Sequence, residues 1–277
     1  MKEPDETGTY AGDGGLSLFF QAWYPAGVPR GALINLHGLG DHGGLYPRVV
    51  EHFTAAGWAV YAPDLRGNGR SSGQRGYVER WQELRNDLRA FVALVRRGGI
   101  DRPPVVQGNS LGGLIALDYA LHEPASISGV VAIAPPLGAL GVPPLVLLLG
   151  RLLSQVWPRF SLEVGMDLSN LSRDPAVVAH ILADPLFHRR GTARLSTEVA
   201  AAIARVQAGA ANLRVPTLLL HGTADRMVSP DGSRRFTARS AGRATLVEYP
   251  GGYHVLTADL VAADVLRDVE RWVDALP

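Results

Sequence analysis

The chain contains no cysteine. That one absence excludes disulfides, thiol catalysis and thiolate metal sites together. Lysine is nearly missing too, since Lys2 is the single lysine among 27 basic residues. The formal net charge is only +1, and no stretch gathers Lys or Arg into a basic face, which excludes nucleic acid as an expected partner. Long apolar runs are also lacking. The longest, Val142 to Val156, is interrupted by Pro143, Pro144 and Arg151, and is too short and broken to span a bilayer. The opening residues, Met1-Lys2-Glu3-Pro4-Asp5-Glu6, are polar and hold no apolar core of a signal peptide. The expected location is therefore cytoplasmic, with at most a peripheral hold on membranes. Nothing in the sequence calls for a cofactor or a metal ion.

What is present is a soluble globular mix, 47% apolar and 19% charged over 277 residues. That length suits one α/β domain carrying an insertion, or at most two domains. A turn signal, Asp13-Gly14-Gly15, precedes a strand-like stretch from Leu16 to Trp23 and predicts an opening hairpin. Short apolar runs follow at Ala32 to Leu36, Trp58 to Ala62, Pro104 to Val106 and Ile127 to Ile133. Between them lie amphipathic stretches at Tyr46 to Ala56, Trp81 to Arg97 and Leu111 to His122. Strand and helix alternate, which predicts an α/β fold with a mostly parallel sheet covered on both faces. The alternation fails between about Pro136 and Leu213, where a Leu-rich stretch and an Ala-rich run (Thr197 to Ala208) carry no convincing strand. It resumes with Val215 to Leu220, Asp231 to Ser240, Ala244 to Tyr249 and Ala258 to Leu276. The expected organisation is a core of residues 1–135 and 214–277, with residues 136–213 inserted as a helical cap.

Two segments fit Gly-x-Ser-x-Gly: Gly108-Asn109-Ser110-Leu111-Gly112 and Gly69-Arg70-Ser71-Ser72-Gly73. In a chain with 32 glycines the pattern alone says little. A nucleophile elbow also needs a strand entering and a helix leaving. Pro104-Val105-Val106-Gln107 enters the Ser110 turn, and Gly113 to Ala120 continues behind it as a helix. Ser71 lies among Gly, Asn, Arg and Gln with no helical pattern behind it, and reads as a turn serine. Ser110 is the expected nucleophile.

In such folds the acid and then the base follow the serine in chain order. Of eight histidines only His254 lies beyond His221, in the loop Gly251-Gly252-Tyr253-His254 after a predicted strand. His221 is the rival, but any acid following it would come in the wrong order. Asp225 stands just past the end of the strand Val215 to Leu220, where a carboxylate can hold an imidazole and stabilise its cation. Asp231 is the nearest alternative, yet Pro230 before it marks a helix start, where aspartate caps. The reading is Ser110 as nucleophile, His254 as base and Asp225 as the acid that orients it. Acyl transfer also needs donors aimed at the developing oxyanion. Leu111 N–H, directly after the nucleophile, supplies one. The loop His37-Gly38-Leu39-Gly40 supplies the other, assigned to Leu39 N–H.

Taken together these segments resemble the monoacylglycerol lipase and lysophospholipase branch of the α/β-hydrolases, from about Ala32 to Leu256. The likeness rests on His37-Gly38-Leu39-Gly40-Asp41-His42, on Tyr61-Ala62-Pro63-Asp64-Leu65-Arg66-Gly67-Asn68-Gly69, on the Ser110 elbow, on His221-Gly222-Thr223-Ala224-Asp225-Arg226 and on Tyr253-His254-Val255-Leu256. Leu171-Ser172-Arg173-Asp174 and Ala183-Asp184-Pro185-Leu186 fit the same branch. The resemblance implies hydrolysis of a single-chain lipid ester, monoacylglycerol to glycerol and fatty acid, through an acyl-enzyme on Ser110. It also implies a cap with an apolar tunnel for one acyl chain and a small polar end for glycerol. Asp41 is expected at that polar end, and Leu145 and Leu148 along the acyl wall, where the cap would also make transient contact with membranes or lipid aggregates. Three positions depart from the family: Asn109-Ser110-Leu111 replaces His-Ser-Met, Asp41 replaces Glu, and Leu45 replaces an Arg. The alternatives are a lysophospholipase or general carboxylesterase, then a proline-type aminopeptidase or a non-hydrolytic sensor.

Overall fold

The computed structural model describes residues 2–138, 144–163, 165 and 167–277, with the side chains of 144–148 excepted. The chain opens with β1 (Glu6–Ala11) and β2 (Ser17–Trp23), an antiparallel hairpin closed over the Asp13–Gly15 turn. There follow β3 (Ala32–Leu36), α1 (Pro47–Ala55), β4 (Ala59–Pro63), α2 (Trp81–Arg96), β5 (Val105–Asn109), α3 (Leu111–His122) and β6 (Gly129–Ile133). Next come α4 (Pro144–Val156), β7 (Ser161–Glu163), α5 (Pro175–Ala183), β8 (Arg190–Thr192) and α6 (Ala193–Gly209). The chain closes with β9 (Thr217–Gly222), α7 (Asp231–Arg239), β10 (Ala244–Tyr249) and α8 (Ala262–Asp274).

Eight strands form one sheet in the order β1-β2-β4-β3-β5-β6-β9-β10. Only the first two pairings in that order, β1 with β2 and β2 with β4, run antiparallel; from β4 to β10 all pairings are parallel. β3, β4, β5, β6 and β9 are buried at every position, which is why each carries a short apolar run rather than a strict alternation. One core cluster packs α2, α3 and α6 on one face, around Phe91, Leu114 and Val206. The other packs α1 and α8 on the opposite face, around Phe53, Val265 and Val269. A large apolar side chain buried this fully stabilises by roughly 2 kcal/mol. α3 is buried along its first ten residues and shows no polar face, as befits a helix enclosed by others.

The segment between β6 and β9 contradicts one expectation. It holds two short strands, β7 and β8, paired antiparallel as a second sheet. At three residues each they are too short for any periodic pattern to mark them. Leu145 and Leu148 fall on α4, but their side chains lie outside the described residues. Among the described residues no helix is long and apolar enough to cross a membrane.

Candidate active site

β5 delivers Ser110 to the carboxyl end of the parallel strands, where crevices form in sheets of this type. The turn is sharp, and Ser110 sits at φ 51°, ψ −115°, a conformation unfavourable for a residue with a Cβ. Its N–H donates to Ile133 C=O at 2.8 Å, which ties the elbow to the neighbouring strand. Both flanking glycines are required by contact. A Cβ on Gly108 would lie 2.3 Å from the Gly112 carbonyl carbon, and one on Gly112 would lie 2.5 Å from Leu36 O. The second Gly-x-Ser-x-Gly is structural. Ser71 Oγ donates to Asp64 C=O (2.6 Å) and accepts from Phe19 N–H (2.8 Å), so the hydroxyl is fully engaged.

His254 comes from the loop after β10 and Asp225 from the loop after β9, and both are buried. His254 Nδ1 donates to Asp225 Oδ2 at 2.7 Å, leaving Nε2 as the basic nitrogen. The other carboxylate oxygen accepts from Met227 N–H (2.8 Å) and Val228 N–H (2.9 Å). His221, read from sequence as a rival base, lies against the Asp225 carboxylate. Its Nε2 lies 3.4 Å from Asp225 Oδ2, and its ring is anchored to Ser233 Oγ (2.9 Å) and Val228 C=O (3.0 Å). Burial would raise the Asp225 carboxyl, but hydrogen bonds from His221 and His254 outweigh it and hold the group well below the usual carboxylate range. Asp225 is thus a fixed anion. The rival acid, Asp231, opens α7 and pairs with Arg234 in solvent.

The loop after β3 lies against the serine. A Cβ on Gly38 would sit 3.6 Å from Ser110 Cβ and 3.2 Å from Asp41 Oδ2. His37, wholly buried, controls this loop in a way its sequence position did not reveal. Its Nε2 accepts from Leu65 N–H (2.8 Å), so its Nδ1 carries the proton and donates to Gly38 C=O (2.7 Å). Burial lowers His37 to about 3, keeping it neutral. In a planar trans peptide the N–H points opposite to the C=O. Fixing the Gly38 carbonyl therefore fixes the direction of Leu39 N–H. Among the described residues neither Leu39 N–H nor Leu111 N–H meets a protein acceptor.

A cavity of about 50 Å³ brings together Ser110, His254, Gly38, Leu39 and Asp41, walled by Leu168, Leu171, Phe187 and Met227. Asp41 and Val255 also border a second, larger cavity of about 250 Å³, lined mainly by Leu45, Val177, Ile181 and Ala258 with Arg48, Asp174 and His180. Asp41 Oδ2 accepts from Tyr46 Oη at 2.9 Å, and burial pushes its carboxyl up. The wall between these cavities is an apolar cluster in which Leu168, Leu171 and Ile181, from the segment between β6 and β9, meet Val255, the residue after His254.

That segment is stapled to the histidine loop. Val255 N–H donates to Leu171 C=O (2.8 Å), Ser172 Oγ donates to Ala258 C=O (3.0 Å), and the Arg173 guanidinium pairs with the fully buried Asp259 carboxylate. The Leu171-Ser172-Arg173-Asp174 motif is this staple. Its role escaped the sequence because Asp259 lies 86 residues away.

Comparison with known proteins gives a consistent picture. Residues 27–260 match the Hydrolase_4 family model, described as serine aminopeptidase, S33. The monoacylglycerol lipase of Mycolicibacterium smegmatis is 34% identical over 275 residues, covering 96% of this chain and 95% of that protein. Human monoglyceride lipase is 32% identical over 266 residues, covering 94% and 87%. The crystal structure of the monoacylglycerol lipase of Paleococcus ferrophilus matches with a TM-score of 0.85 at 32% identity, covering 92% of this chain and 98% of that one.

Proposed function

We propose that this chain, which belongs to the serine aminopeptidase S33 family of α/β-hydrolases and is similar along nearly its whole length to monoacylglycerol lipases, hydrolyses monoacylglycerols through an acyl-enzyme on Ser110. The observation that carries the reading is the His254–Asp225 pair opening into the same small cavity as a serine on a strained strand-to-helix turn. In the first half-reaction Ser110 Oγ attacks the ester carbonyl while His254 Nε2 takes its proton. The backbone N–H groups of Leu39 and Leu111 stabilise the tetrahedral oxyanion, each such donor being worth about 3 kcal/mol of barrier. His254 then returns the proton to the departing alcohol. In the second half-reaction water, deprotonated by His254, releases the fatty acid from Ser110. Asp225 stays ionised throughout and stabilises the imidazolium.

The walls suggest where each half of the ester lies. Leu39, Leu168, Leu171, Phe187 and Met227 surround the serine and suit an acyl chain. The alcohol must lie beside His254, which protonates it, and Val255 leads from there past Asp41 into the larger cavity. Asp41, with Tyr46 behind it, is a polar group that can accept from a glycerol hydroxyl. Residues 136–213 act in this reading as a cap over the acyl side. On α4 and just beyond it, Leu149, Leu152, Val156 and Trp157 are 56–76% exposed and offer a surface for transient contact with lipid aggregates or a membrane. An aminopeptidase reading is less well supported. Asp41 is the only carboxylate lining the serine cavity among the described residues, and Tyr46 already occupies it. A lysophospholipase reading draws on Arg48 in the larger cavity, but that guanidinium already has Asp174 within 3.7 Å.

The test is covalent labelling by a fluorophosphonate followed by peptide mapping. The label is expected on Ser110, with esterase activity lost in Ser110→Ala and mostly retained in Ser71→Ala. A label on Ser71 would overturn the assignment.

A further inference from the structure

The oxyanion loop is gripped from the far side of the chain. Gly40, the residue after Leu39, has φ +80°. Its N–H donates to Asn68 Oδ1 (3.2 Å), and its C=O accepts from His188 N–H (3.0 Å). His188 Nε2 donates to that same Asn68 oxygen at 2.9 Å, while Asn68 Nδ2 donates to Arg66 C=O at 2.9 Å. The ring's other nitrogen accepts from Arg190 N–H (3.1 Å), which requires a neutral imidazole with its proton on Nε2. Burial, with Arg75 close by, lowers His188 to about 4, so this tautomer persists at neutral pH. Asn68 and His188 are both buried. The fit allows only glycine, because a Cβ on Gly40 would lie 1.9 Å from His188 O.

Three distant stretches of chain thus meet on one residue. Gly40 belongs to the loop after β3, Asn68 to the loop after β4, and His188 to the inserted segment just before β8. His37 fixes the peptide on one side of Leu39, and Asn68 with His188 fixes the peptide on the other. We propose that His188 and Asn68 are positioning residues that clamp Gly40, so that the seating of the inserted segment sets the aim of the Leu39 N–H at the oxyanion. This rests on reading Leu39 as an oxyanion donor. Neither residue touches the reacting ester, so the clamp acts on the transition state more than on substrate binding.

The experiment compares His188→Phe, which keeps a ring of similar bulk without a donor, with His188→Gln, which keeps a donor. Hydrolysis of a p-nitrophenyl ester and inhibition by an alkyl boronic acid are measured at pH 7, with thermal unfolding as the check on folding. In His188→Phe kcat is expected to fall at least ~10-fold with KM changed less than ~2-fold, and boronate affinity to fall in parallel. His188→Gln should recover most of both. A folded His188→Phe with wild-type kcat would overturn the proposal, as would a His188→Gln equally impaired. Should His188→Phe fail to fold, Asn68→Ala removes the shared acceptor, and unchanged kcat there overturns the clamp just as well. Fluorophosphonate labelling of the wild-type chain separates the two levels. A wild type labelled at Ser110 with an unaffected His188→Phe rejects the clamp alone, whereas a wild type labelled elsewhere rejects the active-site reading and the clamp with it.

Discussion

Asp225 is bound on both carboxylate oxygens: two backbone amides hold Oδ1, while His254 and His221 approach Oδ2. An amide in its place would keep an acceptor for the backbone but turn an NH₂ toward His254 Nδ1–H. The imidazole would then have to present its other tautomer, with the proton on the nitrogen that should serve as base. Asp225→Asn is therefore expected to lower kcat by about 10⁴-fold while leaving the fold intact, as the same change does in an unrelated triad. Steady-state kinetics beside a circular dichroism spectrum checks this; a loss under ~10-fold would contradict the role. Ser110, Asp225 and His254 could be proposed from the sequence because chain order and strand context constrain them, and the structure sets His254 Nδ1 against Asp225 Oδ2. His221 stood in the sequence only as a rival base, since its approach to Asp225 depends on the fold and no local pattern marks it. Leu145 and Leu148 remain expectations from the family resemblance.

The strands and helices of the core were legible wherever one period dominated. β3 and β10 coincide with the apolar runs that predicted them, and α3 and α7 begin where the pattern did. Ends shifted by a few residues where capping and turns decide them: β9 begins at Thr217, after Pro216, and α8 only at Ala262. β7 and β8 were missed because their pairing is set by contacts across the insertion rather than by their own composition. The staple between the insertion and the histidine loop was equally invisible. Asp259 is fully buried and Arg173 is partly exposed, so removing the cation strands a carboxylate in the interior. Breaking a fully buried pair costs about 3–5 kcal/mol, and screening at the exposed side of Arg173 reduces that to roughly 2 kcal/mol. Arg173→Ala should lower the urea midpoint accordingly and reduce activity more than Arg173→Lys does. Equal stability of Arg173→Ala and wild type would show that the insertion is held by apolar contact alone.

At the scale of the molecule, the buried imidazoles of His37 and His188 are held neutral, and this shapes its response to acid. His37 lowered to about 3 and His188 lowered to about 4 both lie below the ordinary value of 6.5. The unfolded chain binds protons there that the folded chain does not. The stabilisation they contribute is thus complete above about pH 6.5 and lost progressively as the pH falls toward 4 and 3. Asp225, held low, adds a contribution lost only below the usual carboxylate range. The urea midpoint is expected to fall between pH 6.5 and about pH 5; a midpoint that holds or rises would contradict the assigned protonation states. In the proposed reading the substrate depends on the same whole, since the ester lies between the sheet, the histidine loop and the segment between β6 and β9. Apolar walls around Ser110 favour one acyl chain, with burial contributing ~0.8 kcal/mol per methylene. A triacylglycerol would have to place three. The most direct measurement is the rate on monooleoylglycerol, trioleoylglycerol and a lysophospholipid of the same acyl chain, under identical detergent conditions, with Ser110→Ala as the blank. The expected result is rapid cleavage of the monoester, little of the triester and less of the lysophospholipid, all absent in Ser110→Ala; trioleoylglycerol cleaved as fast as monooleoylglycerol, or a clear preference for the lysophospholipid, would contradict it.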